Sequence, residues 1–70
     1  MGDLQTIAMA YRRSRLKDPW HHPAYLAAER AYREAHPDAP DYEVKRRVPR
    51  LIFAAAEKYG AWLYGRDNGE

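Results

Sequence analysis

Arg12, Arg13, Arg15 and Lys17 put four cations into six positions, and Lys45, Arg46, Arg47 and Arg50 do the same further along the chain. Side chains of this kind, at this density, suit phosphate. A guanidinium fork donates paired hydrogen bonds to phosphate oxygens, and each phosphate neutralised on a nucleic acid releases a counterion. The formal net charge of +2 conceals the clustering, because the rest of the chain holds four of the 12 basic residues against all 10 acidic ones. Local pairing narrows the candidates. Asp41 with Lys45 and Glu43 with Arg47 stand at i, i+4 with the acid first, the favourable order on a helix, whereas Arg46 and Arg50 have no such partner. Arg12, Arg13, Arg15 and Lys17 have no acid within the four positions before them, and Trp20, with Tyr11, His21 and His22, adds flat faces on which a base can stack. Arg12, Arg13, Arg15, Lys17, Trp20, Arg46 and Arg50 are therefore the expected binding residues. Arginine and aromatic side chains also dominate protein interfaces, so the expected partner is either a nucleic-acid backbone or an acidic protein surface. The same residues have a purely structural reading, in which cations favour a helix C-terminus, keep a small protein soluble and leave the aromatics to fill the core.

Other chemistries find little support. Cysteine is absent, which removes disulfides, thiolate nucleophiles and cysteine zinc sites. His21, His22 and His36 include no pair at the i, i+4 spacing that sets two ligands on one helix face, so no metal is expected. Ser14 and Thr6 are the only hydroxyl-bearing aliphatic side chains, and neither lies in a glycine-rich phosphate loop or a nucleophile elbow. Glu29, Glu34 and Glu57 are accounted for by pairing with Arg33, Arg30, and Arg50 or Lys58. The expectation is a non-enzymatic protein without a cofactor.

The elements that must position these residues are helices. Seventy residues allow one domain, and 46% hydrophobic residues suffice for a small core. Leu4, Ile7, Ala8 and Tyr11 follow helical periodicity behind a candidate cap, Asp3, and Pro19 stops that helix, so the first spans residues 3–17. Pro23 suits the first position of a second helix through Tyr25, Ala28 and Tyr32, ended by Pro37, hence residues 23–36. Glu29 with Arg33 and Arg30 with Glu34 are expected to neutralise its exposed face.

Asp38 and Asp41 are candidate caps for a third helix, residues 40–65, along which Val44, Val48, Leu51, Ile52, Ala55, Tyr59 and Trp62 keep phase. Pro49 falls within that series. It is expected to bend the helix, or to split it into a short helix over about 41–47 and a longer one over about 49–64. Gly65 is a candidate C-terminal cap, and residues 66–70 are expected to form a tail. No segment alternates with period two, so the fold class is all-α: a compact three-helix bundle, or four helices if Pro49 splits the last. The ridge Ala24, Ala27, Ala31 and Ala35 is expected to pack against Ile52, Ala56 and Gly60. Trp20, Phe53, Trp62, Leu63 and Tyr64 cannot all face one core of this size, which leaves apolar surface for a partner or for self-association. The longest apolar run, Leu51 to Ala56, is six residues, too short for a membrane span, and a cytoplasmic protein is expected.

Overall fold

A computed structural model of the chain describes residues 2–65. Three helices, α1 (Asp3–Lys17), α2 (His21–Ala35) and α3 (Asp41–Tyr59), are followed by a 3-10 turn over Gly60–Tyr64. The all-α three-helix arrangement expected from periodicity is what forms, with no strand among the described residues. α1 packs most extensively on α2, α3 contacts both, and the 3-10 turn closes against α1 and α3.

The helix ends follow from local chemistry, and several differ from expectation. Gly2, not Asp3, occupies the cap position of α1, and Asp3 is its first helical residue. Its carboxylate instead accepts a hydrogen bond at 2.9 Å from Nε2 of His36, the residue that ends α2. α1 stops where Asp18 takes extended geometry ahead of Pro19, as that proline requires. α2 starts at His21, two residues earlier than expected, with Pro23 at its third position. The first four amides of a helix have no intrahelical partner, so a proline there forfeits nothing. α3 starts behind Pro40, and neither Asp38 nor Asp41 caps it with a side chain. Asp41 and Glu43 sit inside its first turn, where the helix dipole favours negative charge.

α3 runs unbroken through Pro49, so the four-helix version does not form. The missing amide leaves only the Lys45 carbonyl without its donor. Pro49 is exposed, and on that side of the helix water can take the donor's place. The helix stops at Tyr59, short of the expected residue 65, because Gly60 adopts φ +61° and ψ −137°, a conformation essentially confined to glycine. That reversal folds the 3-10 turn back so that Leu63 is completely buried. Gly65 ends the turn with φ +86°, its amide bonding to the Trp62 carbonyl at 3.0 Å. The expected tail, residues 66–70, lies outside the described residues.

Ile7, Ala8 and Tyr11 from α1, Ala24, Ala28 and Tyr32 from α2, and Val44, Val48, Ile52 and Ala55 from α3 join Leu63 in the core. Leu4, Tyr25, Leu51, Tyr59 and Trp62, expected inside, pack at its margin. The alanine ridge is corrected as well. The i, i+4 row Ala24–Ala28–Tyr32 faces the core, Ala27 and Ala31 line a groove against α1, and Ala35 is exposed. Trp20, Phe53 and Tyr64 remain exposed.

Two substitutions test these local arguments. A Cβ on Gly60 would meet nothing within 4 Å, so Gly60→Ala isolates backbone strain. It should destabilise the fold by about 1–3 kcal/mol, read as a lower urea midpoint with unchanged slope. Pro49→Ala restores a helical amide, worth about 3 kcal/mol of intrinsic preference. The loss of proline's restriction on the unfolded chain opposes this by about 0.4–1 kcal/mol. Thermal denaturation should therefore show a net gain of about 2 kcal/mol or slightly more, and a loss would mean that the proline ring itself is needed.

Candidate functional site

The two basic clusters have different fates. On α1, 100° per residue turns Arg12 and Arg15 toward the 3-10 turn and leaves Arg13 and Lys17 on the other side. The Arg12 guanidinium lies 4.5 Å from the centre of the Trp62 ring and donates to the Trp62 backbone carbonyl. Arg15 stands 5.1 Å over the Tyr64 ring and donates to the Tyr11 hydroxyl at 3.5 Å. That leaves the hydroxyl proton of Tyr11 for Nδ1 of His21, 2.8 Å away. Arg12 and Arg15 are therefore packing residues of the bundle. Arg13 and Lys17 are exposed and line the α1–α2 groove together with Arg30 and Glu34. Trp20 precedes α2, 69% exposed, its amide donating to the Asp18 carboxylate at 3.3 Å.

On α3 the expected i, i+4 pairs give way to pairs with α2. Asp41 accepts from Arg33 at 2.6 Å, and Lys45 reaches Glu29 at 3.4 Å. Glu43 accepts from the Tyr32 hydroxyl at 2.9 Å. Glu29 was expected on a solvated face of α2, yet it is only 5% exposed, held by Lys45 and, at 4.0 Å, by Arg33. Arg30 with Glu34, and Glu57 with Arg50 or Lys58, form no ion pair among the described residues. The Arg33 guanidinium holds the Asp41 carboxyl below its ordinary range. Burial, reinforced by the neighbouring Glu29 carboxylate, pushes the Tyr25 hydroxyl up to about 12, and burial raises Tyr11 and Tyr32 as well.

Arg46 and Arg50 remain exposed as expected, and Arg47 joins them. Deprived of Glu43, its guanidinium sits 5.9 Å from the Tyr32 ring. The three arginines share one shallow depression with Leu51, and none ion-pairs with an acid among the described residues. A separate open groove of about 420 Å³ lies on the Pro49 and Phe53 side of α3 and joins residues that are far apart in sequence. His21 and Tyr25 of α2, Pro49 and Phe53 of α3, and Tyr64 of the 3-10 turn form its sides, and Tyr11 and Arg15 also line it. Its one signal in the sequence is the surplus of aromatic residues, since Phe53 and Tyr64 belong to the apolar set too large for one core. No cluster of metal-ligating side chains occurs among the described residues, and no helix among them is long and apolar enough to cross a membrane. No protein-family model matches the chain, and neither the curated proteins nor the solved structures contain a match to it.

The Tyr25 environment sets an alkaline limit. A folded-state value above the ordinary 10.0 means that the native protein favours the protonated hydroxyl. Tyr25 thus contributes stability that is complete below pH 10.0 and lost as pH rises toward 12. Urea unfolding across that interval should show falling stability, with Tyr25→Phe flattening the fall. Unchanged pH dependence in the variant would assign the effect to Tyr11 and Tyr32.

Proposed function

We propose that the protein is a small non-enzymatic nucleic-acid-binding regulator, cytoplasmic, that grips the phosphate backbone through the outer face of α3. The observation that carries this reading is the set Arg46, Arg47 and Arg50, three guanidinium groups in one depression without a carboxylate partner among the described residues. Arg46 and Arg50 are i, i+4 neighbours of like charge, a mildly unfavourable pair until an anion lies across them. A polyanion supplies phosphates to all three and gains affinity through counterion release. Arg13 and Lys17, on a different groove, add a second and weaker contact region, while Arg12 and Arg15 drop out of the phosphate set. A second reading, a protein-interaction module or a self-associating chain, is favoured by a different observation: Leu16, Trp20 and Leu26 expose large apolar side chains outside the arginine face.

Salt dependence separates the two. Duplex binding through phosphates weakens with salt at a slope near −0.9 per neutralised phosphate. The double variant Arg46→Ala, Arg50→Ala should reduce that slope by up to about two units with the helical circular-dichroism signal unchanged. Arg33→Ala, whose charge is already answered by Asp41, should alter the slope little. If the wild-type chain binds neither DNA nor RNA at low salt, or if all three arginines matter equally, the protein-partner reading takes over.

A further inference from the structure

We infer that the groove beside the arginine face seats an unstacked base, so that the protein prefers single-stranded nucleic acid to duplex. The inference rests on the phosphate-binding reading and adds to it the strandedness of the ligand. Arg46, Arg50 and Phe53 follow one another at spacings of four and three on the unbroken α3, which sets them one turn apart along the same side of the helix. A backbone lying along Arg46 and Arg50 therefore delivers its next nucleotide to Phe53, which is 66% exposed and lines the groove. Tyr25 and Tyr64 line the same groove and supply further flat faces.

The volume of about 420 Å³ falls in the range of small-ligand sites and is ample for one base. Arg15 adds the polar element. Its guanidinium, 5.1 Å over the Tyr64 ring, stands at the edge of the groove. A cation so placed favours a π-rich occupant bearing carbonyl oxygens over an aliphatic one. A base held within a duplex is already stacked and paired and cannot enter, whereas single strands bind characteristically through such aromatic platforms next to basic grooves.

Fluorescence anisotropy at low salt, with three labelled probes of equal phosphate number, tests this. The probes are an oligothymidylate, an abasic strand and a hairpin duplex. The oligothymidylate should bind at least about fivefold more tightly than the abasic strand, the lower end of what stacking one base supplies. Phe53→Ala should abolish that difference and leave duplex and abasic binding unchanged. Arg46→Ala with Arg50→Ala should weaken all three probes together. Equal binding of the thymidine and abasic strands, or a Phe53→Ala effect of the same size on every probe, would overturn the base subsite while leaving the phosphate reading intact. Absence of binding to every probe would overturn both, and a Phe53→Ala variant without native circular dichroism is replaced by Phe53→Leu, for which the same outcomes hold.

Discussion

Arg12 and Arg15, one turn apart on α1, reach across to Trp62 and Tyr64 and hold the 3-10 turn against the bundle. A guanidinium over an aromatic face contributes about 0.5–1 kcal/mol when exposed and about 2 kcal/mol when desolvated. Arg12 adds a hydrogen bond to the Trp62 carbonyl, which anchors backbone as well as ring. The Gly60 reversal only makes a return of the chain possible. These two cations, with the complete burial of Leu63, are what hold the returned segment in place. The clamp also brings Tyr64 to the groove and commits half of the first basic cluster to contacts within the bundle, so that the uncommitted positive charge of the folded protein lies largely elsewhere.

Where it lies is decided between α2 and α3. Glu29 is a nearly buried carboxylate, and desolvating it would be costly without the ammonium of Lys45 and the guanidinium of Arg33 close by. Arg33 in turn holds Asp41, and Tyr32 holds Glu43. These bonds link α2 to the first half of α3, and so they claim the two acids that would have paired along α3. Helix docking thereby leaves Arg47 without its i, i+4 acid, and it joins Arg46 and Arg50, which have none, as cations without an ion-pair partner among the described residues. The exposed Arg33–Asp41 pair adds little stability by itself. Its larger effect is on the surface potential of α3.

The fold was largely legible in the chain because prolines punctuate it. Pro19 and Pro37 fix two helix ends through the restriction they place on the preceding residue, and the buried positions of α3 repeat at 3.6 residues. Gly60 was missed because a glycine inside a periodic apolar series carries no mark of its sign of φ. Pro49 is expected to bend or split α3 because spacing alone does not show that it falls on the exposed side of a helix held by its buried face. Of the site, Arg46 and Arg50 were visible as cations without local acids, since that test needs only spacing. Arg12 and Arg15 passed the same test and failed in the structure, because their partners are aromatic rings some 50 residues away in the chain. Arg47 failed the test and passed in the structure, because Tyr32 took its acid.

Three features that local physical chemistry disfavours coincide on one stretch of α3. Pro49 stands in a helix interior, Arg46 and Arg50 repel one another at i, i+4, and Phe53 exposes two thirds of its surface to water. Each alone is unremarkable in a small protein. Together they span only eight residues, whereas the opposite face of the same helix, Val44, Val48, Ile52 and Ala55, is apolar, buried and spaced at three and four residues. Such a concentration of departures from local preference points to a patch shaped by something other than folding. Two of the three share a remedy under the proposed reading, since an anionic chain with exposed bases would neutralise the arginines and cover the phenyl ring in one step. The exposed arginines and the phenyl ring thus lie together on the outer face of α3, whereas half of the equally dense cluster on α1 packs against the 3-10 turn.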